Sequence, residues 1–219
     1  MARRTKEDAE KTREEILMSS LDLFCEKGYS KTTFDDIAKR INLTKGAVYW
    51  HFRNKPDLLI ALIKTMVMKT HEQEGYSDET TLKEAQTPLS SLQELKKHFI
   101  NEAALIKNNE YYRKFLFFVI YQMEWSEIMY AKVSRALSAI VNYPVKKIYS
   151  TLEYLQKKGQ VASDADISSA TTMFFCMWKG IVNNYIVNVN EINIQEIVNT
   201  SFDMIIRGLK LEDLKEERS

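Results

Sequence analysis

The stretch that decides the fold is residues 33–57, TFDDIAKRINLTKGAVYWHFRNKPD. It contains two short helical patterns separated by a tight turn. Thr33 precedes the first pattern, with Asp36 at the capping-box position, and Thr44 precedes the second. Asn42 lies between them, and asparagine tolerates a positive φ better than other non-glycine residues. The stretch therefore predicts a helix-turn-helix.

The second short helix is predicted to divide its side chains between two faces. Val48 and Phe52, four positions apart, would face the core, because a helix this short is stable only when it packs on its neighbours. The other side chains would face outward, where a helix-turn-helix presents them to the major groove of DNA. Gly46 would leave room for close approach, and the remaining outward residues are Lys45, Ala47, Tyr49, Trp50 and His51.

Several of these residues suit contacts with the DNA backbone. Thr33 and Thr44 each lie at a helix N-terminus, where the hydroxyl, the backbone N–H groups and the helix dipole favour an anion. Lys55 lies in the same way at the start of the next helix. Tyr49 and His51 are side chains that donate hydrogen bonds to phosphate. Such contacts position a protein on the duplex without reading its sequence.

Other residues suit contacts with the bases. Lys45 is long enough to reach a guanine edge, and Ala47 and Trp50 fit a thymine methyl group or a sugar. Each assignment has a structural alternative. An aromatic pair such as Tyr49 and Trp50 is usually core, and an isolated histidine such as His51 is usually structural.

The charge is distributed unevenly along a nearly neutral chain. The net charge of the 219 residues is +1, which by itself does not indicate nucleic acid. Between Ile37 and Pro56, however, there are basic residues and no acidic one, and such a local patch fits a phosphate-binding surface. A solvated surface is the alternative interpretation. The basic residues are Lys39, Arg40, Lys45, Arg53 and Lys55.

The rest of the chain has helical periodicity, and with only three prolines and six glycines it predicts an all-α protein. We expect a DNA-binding domain over residues 1–54 and a second domain over 55–219. Residues 74–87 are expected to form a loop, Thr87-Pro88 to start a helix, and Pro144 to kink or break one. The expected helices span Lys6–Lys27, Thr33–Ile41, Thr44–Phe52, Lys55–Glu72, 87–106, Glu110–Trp125, Ser126–Lys158, Ile167–Asn188 and Ile194–Leu209.

The sequence gives little support to other classes of protein. No apolar run reaches the length of about 18 residues that a membrane span needs. Cys25 and Cys176 are expected to be buried and to suit a reducing cytoplasm. No spacing of metal ligands and no glycine-rich phosphate loop is present, so no catalytic residue, metal or cofactor is predicted. A small all-α enzyme is the remote alternative.

The stretch from Thr5 to Ile63 resembles the N-terminal domain of the tetracycline-repressor (TetR) family. The segments that carry the resemblance are TREEIL from Thr12, LFCEKGY, TTFDDIAKR and LTKGAVYWHFRNKPDLL. The opening MARRTKEDAEKTREEIL and the YWHF segment are most similar to members that repress multidrug-efflux genes. One departure is Asn42, where glycine is usual.

The resemblance implies an all-α homodimer that binds a palindromic operator. Each subunit would have a three-helix, homeodomain-like head and a larger helical body, whose last two helices form a four-helix interface with the partner. The apolar face of the last helix near Phe202 is expected to lie in this interface. The twofold axis would place the two recognition helices about 34–36 Å apart, or a multiple of that distance.

The resemblance also implies that a small molecule binds in the body, moves the fourth helix and releases the repressor from DNA. Apolar, aromatic and adaptable side chains suit a pocket for hydrophobic compounds. At helical spacing the same side chains are often ordinary core. A body that responds to a protein partner is the other alternative. The candidate pocket residues are Val67, Phe99, Phe117, Tyr121, Phe174 and Met177.

Overall fold

The computed structural model describes residues 6–72, 87–189 and 191–209, including their side chains except those of residues 69–72, 135 and 137–143. These residues form α-helices and one π-helical turn, and no strand occurs among them. The prediction of an all-α fold is therefore confirmed. The predicted loop from 74 to 86 lies outside the described residues.

The described helices follow the predicted order. In chain order they are α1 (Lys6–Lys27), α2 (Phe34–Arg40), α3 (Lys45–His51), α4 (Lys55–Glu72), α5 (Leu92–Asn108), α6 (Glu110–Phe117), the π-helical turn (Phe118–Gln122), α7 (Glu127–Lys157), α8 (Ile167–Val187) and α9 (Ile194–Leu209).

The chain divides into two compact units. The first unit contains residues 1–69 and 110–138, and the second contains residues 70–109 and 139–219. The first unit therefore includes α6 and the beginning of α7 beside the helix-turn-helix. Compact units and functional domains are different divisions, so the boundary at residue 54 stays a prediction.

The first unit is held together by an apolar core between α1 and the elements that follow it. Phe24 of α1 is fully buried, and its ring stacks on Phe118 of the π-helical turn with 5.4 Å between centroids. Beside this contact, the Lys114 ammonium lies 2.6 Å from a carboxylate oxygen of Asp22. The second half of α1 is therefore packed both on the helix-turn-helix and on the segment that begins at residue 110.

The π-helical turn replaces the last part of a predicted continuous helix over Glu110–Trp125. The N–H of Met123 donates to the carbonyl of Phe118, five residues earlier, at 2.9 Å. The indole N–H of Trp125 donates to the carbonyl of Val119 at 3.3 Å. A π-turn inserts one residue into the helical repeat, so a search for a 3.6-residue period does not detect it.

Buried aromatic rings form the core of the second unit. Phe99 of α5 lies 5.0 Å from Phe202 of α9 and 5.1 Å from Trp178 of α8, measured between ring centroids. Phe174 of α8 also lies 5.0 Å from Phe202. The Lys96 ammonium and the Asp203 carboxylate join α5 and α9 at 2.6 Å.

One predicted helix start is wrong, and one predicted break in a helix is absent. The helix expected at Thr87 begins at Leu92, because the hydroxyl of Ser91 accepts the N–H of Glu94 at 3.1 Å and caps it. The carbonyl of Thr87 instead accepts a hydrogen bond from the buried Lys147 ammonium at 3.0 Å. Pro144 does not break α7, which continues through it, and the alternative that it kinks the helix stays a prediction. A proline removes its own N–H donor and crowds the carbonyl four residues earlier, but the buried side chains that follow, such as Ile148 and Thr151, keep the helix packed.

Candidate nucleic-acid interface

Side chains cap the N-terminus of each short helix in the helix-turn-helix. The N–H of Asp36 donates to the Thr33 hydroxyl at 3.2 Å, and the N–H of Thr33 donates to the Asp36 carboxylate at 2.7 Å. Asn42 occupies the turn with φ of 55°, as the sequence predicts. The Thr44 hydroxyl then accepts the N–H of Ala47 at 3.2 Å. These contacts fix where α3 begins.

α3 has one buried face and one exposed face. Val48 is completely buried, and Phe52 at the C-terminal cap is nearly so. Tyr49 is 52% exposed and Trp50 is 73% exposed. The structural alternative, in which this aromatic pair belongs to the core, is therefore excluded by their positions. Two adjacent exposed aromatic side chains form an apolar patch of the kind that marks a binding surface more often than a single exposed side chain does.

The outward side chains of α3 contact one another and Phe34 of α2. The Tyr49 ring meets Phe34 edge-on with 4.9 Å between centroids, and the Lys45 ammonium lies 5.8 Å from the Tyr49 centroid. Trp50 and His51 are perpendicular with centroids 4.5 Å apart. These contacts reduce the conformational freedom of the outward side chains. Less entropy is then lost when they bind a partner.

The two threonine hydroxyls differ in whether their hydrogen is available for a further hydrogen bond. Thr33 Oγ1 donates to the Asp36 carboxylate at 2.6 Å, so its hydrogen is already engaged within the protein. Thr44 Oγ1 accepts a hydrogen bond, and among the described residues no acceptor takes its hydrogen. Thr44 is thus the better placed of the two for a phosphate contact, and both contacts stay predictions.

Gly46 and Ala47 complete the exposed side of α3. A methyl group at Gly46 would meet nothing nearer than the Thr44 hydroxyl at 3.9 Å, so packing among the described residues does not require glycine there. Ala47 is half-buried. The space above Gly46 is consistent with the predicted close approach of a partner.

Lys55 is bound within the protein at the start of α4. Its ammonium donates to the carbonyls of Tyr29 and Ser30 at 2.8 and 2.9 Å and lies 4.7 Å from the Tyr29 ring centroid. Desolvation lowers the pKa of Lys55, and burial raises the pKa of the Tyr29 phenol to about 12. Lys55 therefore links the start of α4 to the segment that follows α1. Its contact with phosphate stays a prediction.

The other basic residues near the helix-turn-helix differ in their partners. Lys27 and Lys39 lie 2.7 and 2.6 Å from the carboxylates of Asp36 and Asp35. The Arg40 guanidinium pairs with Glu26. Of the five basic residues in the patch found in the sequence, two are therefore neutralised by carboxylates. The hydrogen bonds from Lys27 and Thr33 hold the pKa of Asp36 far below its ordinary value.

The six candidate pocket residues divide equally between the two units. In the first unit, Phe117 and Tyr121 lie 5.4 Å apart between ring centroids, and Val67 is half-buried on α4. In the second unit, Phe99 and Phe174 are fully buried against Phe202, and Met177 is half-buried. Phe99 and Phe174 have the contacts of core residues. A ligand role for any of the six stays a prediction.

An apolar surface of α8 and α9 remains exposed. Met173 is 58% exposed and Met204 is 69% exposed. They line a groove of about 330 Å³ together with Ala170, Gly208 and Leu209. Phe202, which marks the apolar side of α9 in the sequence, is instead fully buried. The sequence thus located the apolar helix but not the side chains that face outward.

The cysteines and the histidines give no sign of another kind of site. Cys25 is half-buried, and burial raises its pKa to about 11. Cys176 is exposed, so the expectation that it is buried is wrong. Within residues 6–72, 87–189 and 191–209, no group of three or more His, Cys, Asp or Glu side chains could hold a metal. None of the helices described there could span a membrane.

Comparison with known proteins identifies the family. Residues 16–62 match "Bacterial regulatory proteins, tetR family", and residues 90–211 match "MAATS-type transcriptional repressor, C-terminal region". The chain belongs to the TetR family. It is a TetR-family transcriptional repressor, and the resemblance found in its first 63 residues is confirmed.

Individual relatives agree with this assignment. The TetR-family chain is 27% identical over 209 residues to the HTH-type transcriptional regulator TtgR of Pseudomonas putida, covering 94% of this chain and 96% of TtgR. It is 50% identical over 58 residues to the HTH-type transcriptional regulator AcrR of Shigella flexneri, covering 26% of this chain and 27% of AcrR. Both relatives are transcriptional regulators.

Solved structures share the fold. NalD, the secondary repressor of the MexAB-OprM multidrug efflux pump in Pseudomonas aeruginosa, superposes with a TM-score of 0.75 at 21% identity, covering 94% of this chain and 98% of NalD. SmeT in complex with triclosan gives a TM-score of 0.75 at 21% identity, covering 92% and 93% of the two chains. SmeT is the repressor of the Stenotrophomonas maltophilia multidrug efflux pump SmeDEF. At this identity the likeness shows the fold alone.

Proposed function

We propose that this TetR-family repressor binds a palindromic operator as a homodimer through α3, and that a small hydrophobic molecule releases it. Its proposed target is an efflux pump, because the relatives include repressors of such pumps. Its proposed place of action is the cytoplasm, where bacterial DNA lies.

The observation that carries this proposal is the arrangement of three successive positions on α3. Val48 is buried and anchors the helix, while the two positions that follow it, Tyr49 and Trp50, are exposed. A seven-residue helix that holds two aromatic rings in solvent is adapted to a partner surface. The basic and hydroxyl side chains beside them suit a polyanion, and a major groove is wide enough to receive a helix.

The exposed surface of α8 and α9 supports the proposed homodimer. Met173 and Met204 lie on neighbouring helices, and each leaves more than half of its side chain in solvent. A contiguous apolar surface of this kind is favourable only when it is covered. A second copy of the same two helices would cover it by a twofold contact, in which each residue meets the matching region of the partner.

The structure of SmeT with triclosan supports the proposed effector, because it shows a hydrophobic compound bound to a protein of the same fold. In this mechanism the compound shifts the equilibrium between the DNA-binding and released conformations, and the size of the shift is set by the difference between its affinities for the two. The alternative is a body that responds to a protein partner. Equilibrium dialysis of the purified homodimer with triclosan and with ethidium separates the two, since a protein-responsive body would bind neither.

Operator binding through α3 is tested by substitution at its exposed aromatic residues. A duplex is first selected from a random-sequence pool with the wild-type protein, and its binding is measured by fluorescence anisotropy. Trp50→Ala and Tyr49→Ala are expected to weaken binding by about 1–3 kcal/mol each, which is about fivefold to 150-fold. Thermal melting of the Trp50 variant should change little, because that side chain is mostly solvated.

Tyr130→Ala is the matched control. Tyr130 is an exposed aromatic residue of the first unit that lies on α7, outside the helix-turn-helix. It should bind the selected duplex as the wild type does. Equal affinity of the wild type, the Trp50 variant and the Tyr49 variant would contradict the proposed role of α3.

A further inference from the structure

The cations Lys31 and Arg53, which lie on either side of the helix-turn-helix, have no anionic partner among the residues that the structure describes. Lys31 lies between α1 and α2, and Arg53 lies between α3 and α4; both are exposed. Neither side chain forms an ion pair or hydrogen bond with any residue that the structure describes. Because no carboxylate of the described residues neutralises them, both side chains keep their full positive charge for an anion.

Other cations of the same region are already paired. The ammonium of Lys39 lies 2.6 Å from an Asp35 carboxylate oxygen, and Arg40 pairs with Glu26. A cation paired at this distance contributes little to the electrostatic potential beyond the pair, because the two charges nearly cancel. Proximity in sequence therefore overstates the number of charges available to DNA in this patch.

The Lys55 bridge brings the segments that carry the two free cations together. Its ammonium binds the carbonyl of Ser30, which precedes Lys31, while Arg53 lies two positions before Lys55. Arg53 also follows His51, the last residue of α3, by two positions. The two side chains thus belong to adjoining segments beside the end of the proposed recognition helix. A helix seated in the major groove has phosphates along both rims.

We propose that Lys31 and Arg53 bind phosphates at the rim of the groove that α3 enters, whereas Lys39 and Arg40 remain paired with their carboxylates. The inference rests on the proposed operator binding through α3. It adds two positioning residues and removes two basic residues of the sequence patch from the contact surface. Lys31 lies outside the basic patch found in the sequence, and Arg53 belongs to that patch but was not assigned a contact of its own.

The salt dependence of binding tests this division. Lys31→Gln, Arg53→Gln, Lys39→Gln and Arg40→Gln each remove one positive charge and keep much of the aliphatic stem. Full-length dimers of the four variants and the wild type are titrated with a 40-base-pair duplex selected from a random pool by the wild type, at salt concentrations from 50 to 200 mM. Melting curves confirm that each variant is folded.

The expected result is a change of slope in two variants only. Each lost phosphate contact reduces the magnitude of the slope of log K against log salt by about 0.9. A symmetric dimer of Lys31→Gln or Arg53→Gln loses two contacts, so the magnitude of its slope should be about 1.8 smaller than that of the wild type. From 50 to 200 mM salt, the factor by which its affinity falls would then be about ten times smaller than the wild-type factor. Lys39→Gln and Arg40→Gln should keep the wild-type slope.

The outcomes that overturn the inference are distinct from failure of the proposed function. Unchanged slopes for Lys31→Gln and Arg53→Gln, while the wild type binds the duplex, would remove the two phosphate contacts and leave operator binding intact. Equal losses in all four variants would show that paired cations also contact DNA. Failure of the wild type to select any duplex would instead overturn operator binding itself.

Discussion

At the scale of single residues, Lys55 shows how one side chain serves the fold as well as the proposed site. Its position at the start of α4 is visible in the sequence and suggests a phosphate contact. Its two hydrogen bonds to the carbonyls of Tyr29 and Ser30 are not visible, because the acceptors are about 25 positions away. The structure therefore changes what substitution of Lys55 should do.

Lys55→Ala is expected to lower both stability and operator affinity. Removing the ammonium leaves two carbonyls without their charged donor, which should cost about 1–2 kcal/mol of unfolding free energy. Chemical denaturation and anisotropy titration with the selected duplex measure the two effects separately.

Lys45→Ala is the comparison for Lys55. The Lys45 ammonium contacts only the Tyr49 ring among the described residues, at 5.8 Å. Its removal should weaken operator binding with little change in stability. If Lys55→Ala were as stable as Lys45→Ala, the carbonyl bridge would be energetically unimportant.

For the other site residues too, the sequence shows which face of a helix a side chain occupies but not its distant partners. Outward and inward positions on α3 follow from helical periodicity, so the exposure of Tyr49 and Trp50 was predictable. The neutralisation of Arg40 was not predictable, since Arg40 pairs with Glu26 across 14 positions, whereas Lys39 pairs with Asp35 only four positions away. A side chain's partner depends on how helices pack, and a single sequence does not specify that packing.

At the scale of elements, α2 shows how far local chemistry fixes a helix. Thr33, Asp36 and Asn42 are short-range signals, and the structure confirms all three. The π-helical turn was missed for a different reason, because Phe118 is fixed by a tertiary contact, its stacking on Phe24. The start of α5 has a local signal that was overlooked, the Ser91 cap on the N–H of Glu94, and the N–H of Leu89 before it donates to Thr151 of α7.

The capping box of α2 should make stability depend on acid. The folded-state pKa of Asp36 is depressed, chiefly by its hydrogen bonds to Lys27 and Thr33, relative to an ordinary value of 3.8. Its contribution is therefore complete above the unfolded-state pKa and is lost as the pH falls through the folded-state pKa. Asp36→Asn should melt lower than the wild type at pH 7.

The difference in melting temperature between Asp36→Asn and the wild type should shrink as the pH falls below 4. Asparagine carries no charge at any pH, so only the wild type loses this stabilisation on acidification. Melting both proteins between pH 7 and pH 2.5 measures the difference. A gap that stays constant over this range would show that the ionised carboxylate does not stabilise the cap.

At the scale of the whole molecule, the sequence identified the family but not the side chains that form the proposed dimer interface. The resemblance ends at Ile63, whereas the family match continues over residues 90–211. Helical periodicity placed α8 and α9 correctly, yet it selected Phe202 rather than Met204 for the proposed interface. Phe202 is covered by Phe99 and Phe174 from other helices, and that contact depends on tertiary packing.

Met204→Glu is therefore the sharper test of the homodimer. Covering one methionine side chain contributes about 1.5 kcal/mol or more, and a twofold dimer loses two of them, so the dissociation constant should rise more than about a hundredfold. Ile128→Glu is the control, because Ile128 is 71% exposed on α7 in the first unit. Analytical ultracentrifugation should find the control dimeric and the Met204 variant monomeric.

Cys176 provides an independent measurement of the same contact. It is exposed on α8 three positions after Met173, so a partner seated on α8 and α9 would cover it. Alkylation of Cys176 should be slow in the wild type and fast in Met204→Glu. Because operator binding needs two α3 helices on one duplex, the monomeric variant should also lose affinity for the selected palindrome. A dimeric Met204→Glu protein with protected Cys176 would move the interface to another surface.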